Sequence, residues 1–168
     1  MKSMGGPFKY EGLVWPPMPG IYPDPEQKFK DICDLECRDS DVFVCSFPKA
    51  GTNWAHEVLS MLITQSTSYN KINPGDGFLE MMANKDHFKT IKSPRLFMSH
   101  VPYRYLPRQL RNGTGRIVFI QRNPKDLHVS YFNFMKGKEA SMGKQTSWEE
   151  FFERSVLGEG WYTTYSKA

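Results

Sequence analysis

The chain is poor in cysteine, in charge bias and in long apolar runs, and each shortage removes a class of protein. Three cysteines among 168 residues, Cys33, Cys37 and Cys45, form an odd set. The three-residue gap between the first two does not fit the usual zinc-knuckle spacing, and no metal site is expected. Reduced thiols in a cytoplasmic protein fit this set better than a disulfide-stapled secreted scaffold. The longest uncharged apolar runs, such as residues 58–63, fall far short of the ~20 residues that a membrane span needs. No apolar segment of signal-peptide type follows the early Lys2, so the expectation is a cytoplasmic location without membrane contact. Asn112-Gly113-Thr114 matches the glycosylation acceptor pattern, but in such a location it reads as a turn. The 22 basic and 18 acidic residues leave a net charge of +4. That excess suits an anionic ligand and is far from the footprint of a nucleic-acid binder.

What is present describes a globular chain: 39% hydrophobic, 14% aromatic and 24% charged residues. The length suits one domain of the usual ~100 to 200 residues, so residues 1–168 are read as a single unit. Six of the 12 prolines fall in the first 25 residues, which makes residues 1–25 an extended Pro-rich strap. A short helix is expected after Asp24-Pro25 through Leu35, then a strand over residues 42–47. Trp54, Val58, Leu59, Leu62 and Ile63 recur at helical spacing and predict a helix over 52–63 with one apolar face. Residues 78–83 predict a short helix, residues 95–99 and 116–121 short buried strands, and residues 107–110 a helical turn between them. Asn123-Pro124 starts a further helix, with Asn123 as N-cap and Asp126 in the acid-favouring first turn. Ser147-Trp148-Glu149-Glu150 is a capping-box pattern ahead of Phe151 and Phe152. Strands alternating with helices predict an α/β sandwich with a mainly parallel sheet flanked by helices.

Two loops carry chemistry. In Ser46-Phe47-Pro48-Lys49-Ala50-Gly51-Thr52-Asn53-Trp54 a strand runs through a Lys-Gly-Thr turn into a helix N-terminus. Small Ala50 and Gly51 let backbone N–H groups approach a tetrahedral anion, the helix end contributes a favourable dipole, and Lys49 adds a mobile charge. Thr52 and Asn53 add side-chain donors. An isolated Gly-Thr pair would be read as a plain turn; Lys49 and the strand context make it a phosphate site. Lys49 precedes Gly51, whereas a Walker A loop places its Lys after the last Gly, so a routine nucleoside triphosphatase is disfavoured. The second loop, Gln121-Arg122-Asn123-Pro124-Lys125-Asp126, ends another strand in a basic residue ahead of a capped helix. Open α/β sheets bind ligands at the carboxyl ends of their strands, so Arg122 and Lys49 converge on one polyanion, with Ser130 two turns into the helix.

Both loops resemble those of the cytosolic sulfotransferases. The first is similar to that family's Tyr-Pro-Lys-Ser-Gly-Thr-Thr-Trp segment. The second is similar to its Arg-Asn-Pro-Lys-Asp followed by Val-Ser-Tyr, here Val129-Ser130-Tyr131. A third match, Ser93-Pro94-Arg95 through Ser99-His100-Val101-Pro102, is similar to the segment that delivers the family's catalytic histidine. The resemblance implies a P-loop-like fold and transfer of a sulfuryl group from 3′-phosphoadenosine 5′-phosphosulfate, PAPS. The acceptor would be a small phenol, alcohol or amine, and neither metal nor nucleic acid is implied. By the same resemblance Lys49, Ala50, Gly51, Thr52 and Asn53 hold the 5′-phosphosulfate, Trp54 stacks near adenine, Arg122 and Ser130 hold the 3′-phosphate, and His100 is the general base. Lys49 also stabilises charge on the leaving phosphate oxygen, and an imidazole titrating near neutrality suits proton removal. His56, His87 and His128 have no such context and are read as solvent-facing or satisfied in the core.

The sequence departs from the family pattern at Ala50, at Asn53 and at Met98, where many members carry Lys. Family members also continue beyond the point matching Ala168, so the domain reads as partial and C-terminally truncated. A noncatalytic nucleotide-binding or partner-binding remnant is therefore the alternative to an active enzyme. A small-molecule kinase is a weaker third reading.

Overall fold

The Val42–Ser46 segment, Val-Phe-Val-Cys-Ser, is β-branched and aromatic and has little to gain from a helix. It forms β3, the central strand of a three-stranded parallel sheet in order β4-β3-β5, where β4 is Leu96–Ser99 and β5 is Arg116–Ile120. The computed structural model describes residues 8–11, 13–15, 25–68, 77–81, 86–140 and 145–156. Registers are fixed by pairs such as Phe43 with Phe97 and Cys45 with Ser99 on one side, and Val44 with Val118 and Ser46 with Ile120 on the other.

Strand alternation divides the core into two layers. Phe43, Cys45 and Phe97 face one side, where they pack with Phe29 and Ile32 of helix α1 (Pro25–Cys33), with Leu79, and with Phe88 of the short α3 (His87–Thr90). Leu106, and Leu110 of α4 (Arg108–Arg111), complete that layer. Val44 and Met98 face the other side, with Phe78 and with Ala55 and Leu59 of α2 (Thr52–Thr64). Helices thus flank a parallel sheet, as the alternating sequence pattern predicts.

Two expectations are corrected. The apolar face of α2 is divided: Leu59 packs on the sheet, while Trp54, Val58 and Leu62, spaced four apart on a neighbouring stripe, are exposed. The β5 segment, expected to be buried, leaves Ile117 and Phe119 exposed because it lies at the end of the described sheet. The described part of the N-terminal strap forms an antiparallel pair, β1 (Phe8–Tyr10) and β2 (Leu13–Trp15), with Tyr10 stacked 4.7 Å from Phe29. The prolines at 16–23 lie outside the described residues, as do residues 69–76 and 82–85 of the excursion before β4. Of the helix expected over 78–83, a single 3₁₀ turn, Leu79–Met81, is described. The three cysteines are free thiols, with Cys37 and Cys45 buried.

A buried ion pair ties the sheet together at the N-terminal ends of its strands. Asp41 is 0% exposed and Arg95 2% exposed. Arg95 donates Nε to Asp41 Oδ1 at 2.8 Å and Nη2 to Oδ2 at 2.5 Å, and its remaining nitrogen reaches the Phe88 carbonyl at 2.9 Å. The Arg38 amide donates to Asp41 Oδ2 at 2.7 Å. The Asp41 carbonyl accepts from the Arg116 amide and the Arg95 carbonyl from the Val42 amide, so all three strands start from this pair. Gly115, just before β5, has φ of 91°, and a Cβ there would stand 3.2 Å from the Asp41 carbonyl oxygen.

Beyond the sheet, α5 (Pro124–Ala140) is capped as predicted: Asn123 Oδ1 accepts from the Lys125 amide at 3.0 Å. The capping box at α6 (Trp148–Val156) is complete, Ser147 Oγ accepting from the Glu150 amide and Glu150 Oε2 from the Ser147 amide, both at 3.1 Å. Phe151 packs edge-on to Tyr131, 5.6 Å between centroids, and attaches α6 to α5.

Arg95→Ala would leave the Asp41 carboxylate buried and unpaired, and is expected to cost about 3 to 5 kcal/mol of stability, read as a lowered denaturant midpoint. Ser147→Ala removes a cap at an exposed helix end and is expected to cost less, about 0.5 to 2 kcal/mol, with the denaturant slope unchanged.

Candidate active site

Because β3, β4 and β5 run parallel, their C-terminal ends share one edge, and the segments leaving them carry the residues singled out by sequence. Residues 47–51 turn from β3 into α2. The Ala50 amide donates to the Phe47 carbonyl at 3.1 Å, and Gly51 stands at the N-cap with φ of 116°, a left-handed conformation that favours glycine. Nothing lies within 4 Å of where a Cβ would stand on Gly51, so the turn is open on that side. Lys49 has φ of 70°, uncommon for a residue with a side chain. Its Nζ lies 4.7 Å from the centre of the Phe134 ring on α5.

The second loop meets the first directly. Arg122, leaving β5, donates Nη1 to the Lys49 carbonyl at 3.1 Å. The Arg122 guanidinium thus lies against the backbone of Lys49, and both side chains retain solvent access. Ser130 is part-buried on α5, one turn before Phe134 and so on the same face as the ring beneath Lys49. Asn53 is exposed, and Trp54 is 78% exposed beside the turn.

Thr52, read from the sequence as a side-chain donor to the ligand, is engaged within the protein. It is buried, and its Oγ1 lies 2.6 Å from Ser46 Oγ across the base of the turn. This hydroxyl pair closes the loop at its root. Sequence reasoning passed over Ser46, although a small polar residue ending a strand six positions before Thr52 was a readable signal.

The third segment brings His100 to the same place. Its Nδ1 lies 2.8 Å from the Ser46 carbonyl oxygen. A carbonyl only accepts, so Nδ1 carries the proton and the lone pair belongs to Nε2, the arrangement a general base requires. Burial lowers the His100 pKa to about 4, and only the Ser46 carbonyl opposes the shift. The expectation of an imidazole titrating near neutrality is thereby corrected: at pH 7 the ring is neutral, and its basicity is low. Phe78 lies 5.1 Å from it, ring centre to ring centre.

Met98, two residues before His100, is fully buried with Val44 and Phe78. The position that carries Lys in many family members here packs in the core. Glu80 was also missed. It is 2% exposed, its Oε1 accepts from the His100 amide, and its only sequence signal is a single acid within Phe78-Leu79-Glu80-Met81-Met82. The other histidines behave differently from one another. His87 is exposed, and His128 Nδ1 donates to the Pro124 carbonyl at 2.7 Å. His56 is buried with Nδ1 unpartnered, contrary to its reading as satisfied or solvent-facing. Among the described residues no cluster could hold a metal ion, and no helix is long and apolar enough to cross a membrane.

Comparison with known proteins gives this geometry a family. The profile of the sulfotransferase domain matches residues 39–168. The amine sulfotransferase of Oryctolagus cuniculus is 36% identical over 137 residues, covering 77% of this chain and 45% of that protein. Sulfotransferase 4A1 of Mus musculus is 34% identical over 165 residues, covering 92% of this chain and 55% of that protein. Among solved structures, mouse sulfotransferase SULT7A1 complexed with PAP is similar with a TM-score of 0.74 and 25% identity, covering 95% of this chain and 54% of that one. The chain spans about half the length of the curated relatives it matches. A sulfotransferase profile over residues 39–168, together with a parallel sheet whose loops bring Lys49, Arg122 and His100 to one edge, makes this chain a member of the sulfotransferase family.

Proposed function

We propose that residues 1–168 form one partial sulfotransferase domain, with 1–25 as a strap, that binds PAPS at the loops after β3 and β5 and serves transfer of its sulfuryl group to a phenol, alcohol or amine. The observation that carries this reading is the shared use of one turn: Arg122 donates to the Lys49 carbonyl while His100 donates to the Ser46 carbonyl. Anion-binding loop and base are thereby held three residues apart along the chain.

The residues fit such a donor. The open left-handed Gly51 leaves room for an anion against the backbone amides of residues 51–53 at the start of α2, where the helix dipole favours negative charge. Lys49 and Arg122 supply the balancing charge. When bound, PAPS would supply the sulfuryl group; the chain supplies position, charge and a proton acceptor. Lys49 would neutralise charge gathering on the phosphate oxygen as the bond to sulfur lengthens. Nε2 of His100 would accept the proton from the acceptor hydroxyl or amine as it becomes a nucleophile. A nearby anionic donor favours the imidazolium, so binding would raise the low pKa of His100 toward a working value. Arg122 and Ser130 would hold the 3′-phosphate, and the exposed face of Trp54 would stack on adenine. Thr52, bonded to Ser46, would act by fixing the turn.

A noncatalytic binding role is the second reading, favoured by the low basicity of His100 and by Met98 in the core.

Two measurements follow. Calorimetric titration should show tighter binding of 3′-phosphoadenosine 5′-phosphate, PAP, than of ATP. Lys49→Ala or Arg122→Ala should each weaken it by about 1.5 to 3 kcal/mol, the value of a charge-assisted hydrogen bond. Equal affinity for the two nucleotides would defeat the donor assignment. Transfer from labelled PAPS should be assayed with residues 1–168 joined to the remaining half of a relative, and should fall about 10² to 10⁴-fold in His100→Ala. Since the base works deprotonated, kcat/KM should be lost as pH falls through the free-enzyme value near 4, not near 6.5. A rate indifferent to His100→Ala would favour the noncatalytic reading.

A further inference from the structure

The Leu79–Met81 turn packs against α1 and β4 and carries a buried carboxylic acid, Glu80. Glu80 stands beside Leu79, itself fully buried, in a layer that includes Phe43, Phe88 and Phe97. A carboxyl there forfeits its hydration, so it must satisfy another group that would otherwise be unsatisfied. That group is the backbone amide of His100, which donates to Glu80 Oε1. The amide belongs to the first residue beyond β4, where strand pairing ends and the Cys45–Ser99 register gives it no ladder partner. The second oxygen, Oε2, makes no hydrogen bond of good geometry, while the Ser99 hydroxyl and the Val101 amide stand near enough to the carboxyl to favour its charged form.

We propose that Glu80 is a positioning residue for His100, holding the backbone of that histidine so that its Nδ1–H stays on the Ser46 carbonyl. The inference rests on the reading of His100 as the base, but concerns what aims it. Two anchors define the ring: the Ser46 carbonyl fixes its tautomer, and Glu80 fixes the backbone from which it extends. Phe78, one residue before Leu79 in the same segment, packs against the ring at 5.1 Å. One short segment therefore supports His100 at both backbone and side chain. The two anchors come from different elements, β3 and the Leu79–Met81 turn, and act in series: the Ser46 carbonyl holds Nδ1–H only while Glu80 keeps the His100 backbone in place.

The electrostatic setting agrees. Burial raises the Glu80 pKa to about 7, opposed most by the His100 amide. Burial, and after it the Glu80 carboxyl, push the Cys45 thiol on β3 up to about 12, so it remains protonated at neutral pH. On α1, which packs against the same turn, Lys28 has Asp31 as its opposing charge. Arg95, just before β4, is committed to Asp41.

The test is nitrogen-15 NMR of the histidine rings in the full chain, which needs neither turnover nor bound PAPS. In the wild type and in Glu80→Gln, which keeps an acceptor oxygen, His100 should show a single Nδ1–H tautomer. In Glu80→Leu, which fills the space without an acceptor, that single tautomer should be lost, while the rings of His87 and His128 remain unchanged. A folded Glu80→Leu variant that keeps the wild-type tautomer overturns the proposal. Should that variant fail to fold, the wild type decides. Ionisation of Glu80 around pH 7 should move the His100 amide and ring resonances together; a ring that stays still while the amide shifts overturns it. Absence of PAP binding, measured separately, would count against the reading of the site and leave the tautomer result standing.

Discussion

The constraint on which the rest depends is the parallel pairing of β3 with a neighbour on each side. Parallel strands end on the same edge, so three segments distant in sequence, residues 47–51, 100–102 and 121–123, leave the sheet side by side. The register sets the spacing: Cys45 opposite Ser99 brings His100 level with Ser46, and Ser46 opposite Ile120 places Arg122 within reach of Lys49. Had β5 been antiparallel, Arg122 would stand at the other end of the sheet and the anion would face Lys49 alone.

The two edges of the sheet divide the work. At the N-terminal edge the Asp41–Arg95 pair is buried, saturated with hydrogen bonds and linked to all three strands. At the C-terminal edge neither Lys49 nor Arg122 forms a salt bridge with a described acid, and both reach water. Arg122 is bonded to a carbonyl, not a carboxylate, and Lys49 lies over an aromatic ring. Cations held by dipoles and ring faces keep their charge for an incoming anion, whereas a cation paired with a buried carboxylate is already neutralised. The same sheet thus carries a structural ion pair at one end and, among the described residues, two cations outside any ion pair at the other.

Much of the fold was legible because its signals are local. Strand composition located β3, β4 and β5, Asn123 and Ser147 announced their helices, and a Lys before Gly at a strand end marked the turn into α2 that is proposed to bind the donor. The exposure of Phe119 was not legible, since a strand's apolar residues show what it can bury and not whether a neighbour covers it. The inward turn of Thr52 depends on Ser46 across the loop, and the low basicity of His100 on burial by side chains far along the chain. Glu80 was missed for the same reason. A single acid in an apolar run reads as a surface position until the amide that it serves, 20 residues later, is seen beside it.

The central claim, that the loops after β3 and β5 form one donor site, is tested most directly by titrating the nitrogen-15-labelled chain with PAP and following its backbone amides. The account predicts that shifts concentrate on residues 49–53 and on residues 122–124, moving with a single dissociation constant. Shifts confined to one of the two loops, or centred on the exposed stripe of Trp54, Val58 and Leu62 with the amides of residues 49–51 unmoved, would contradict it.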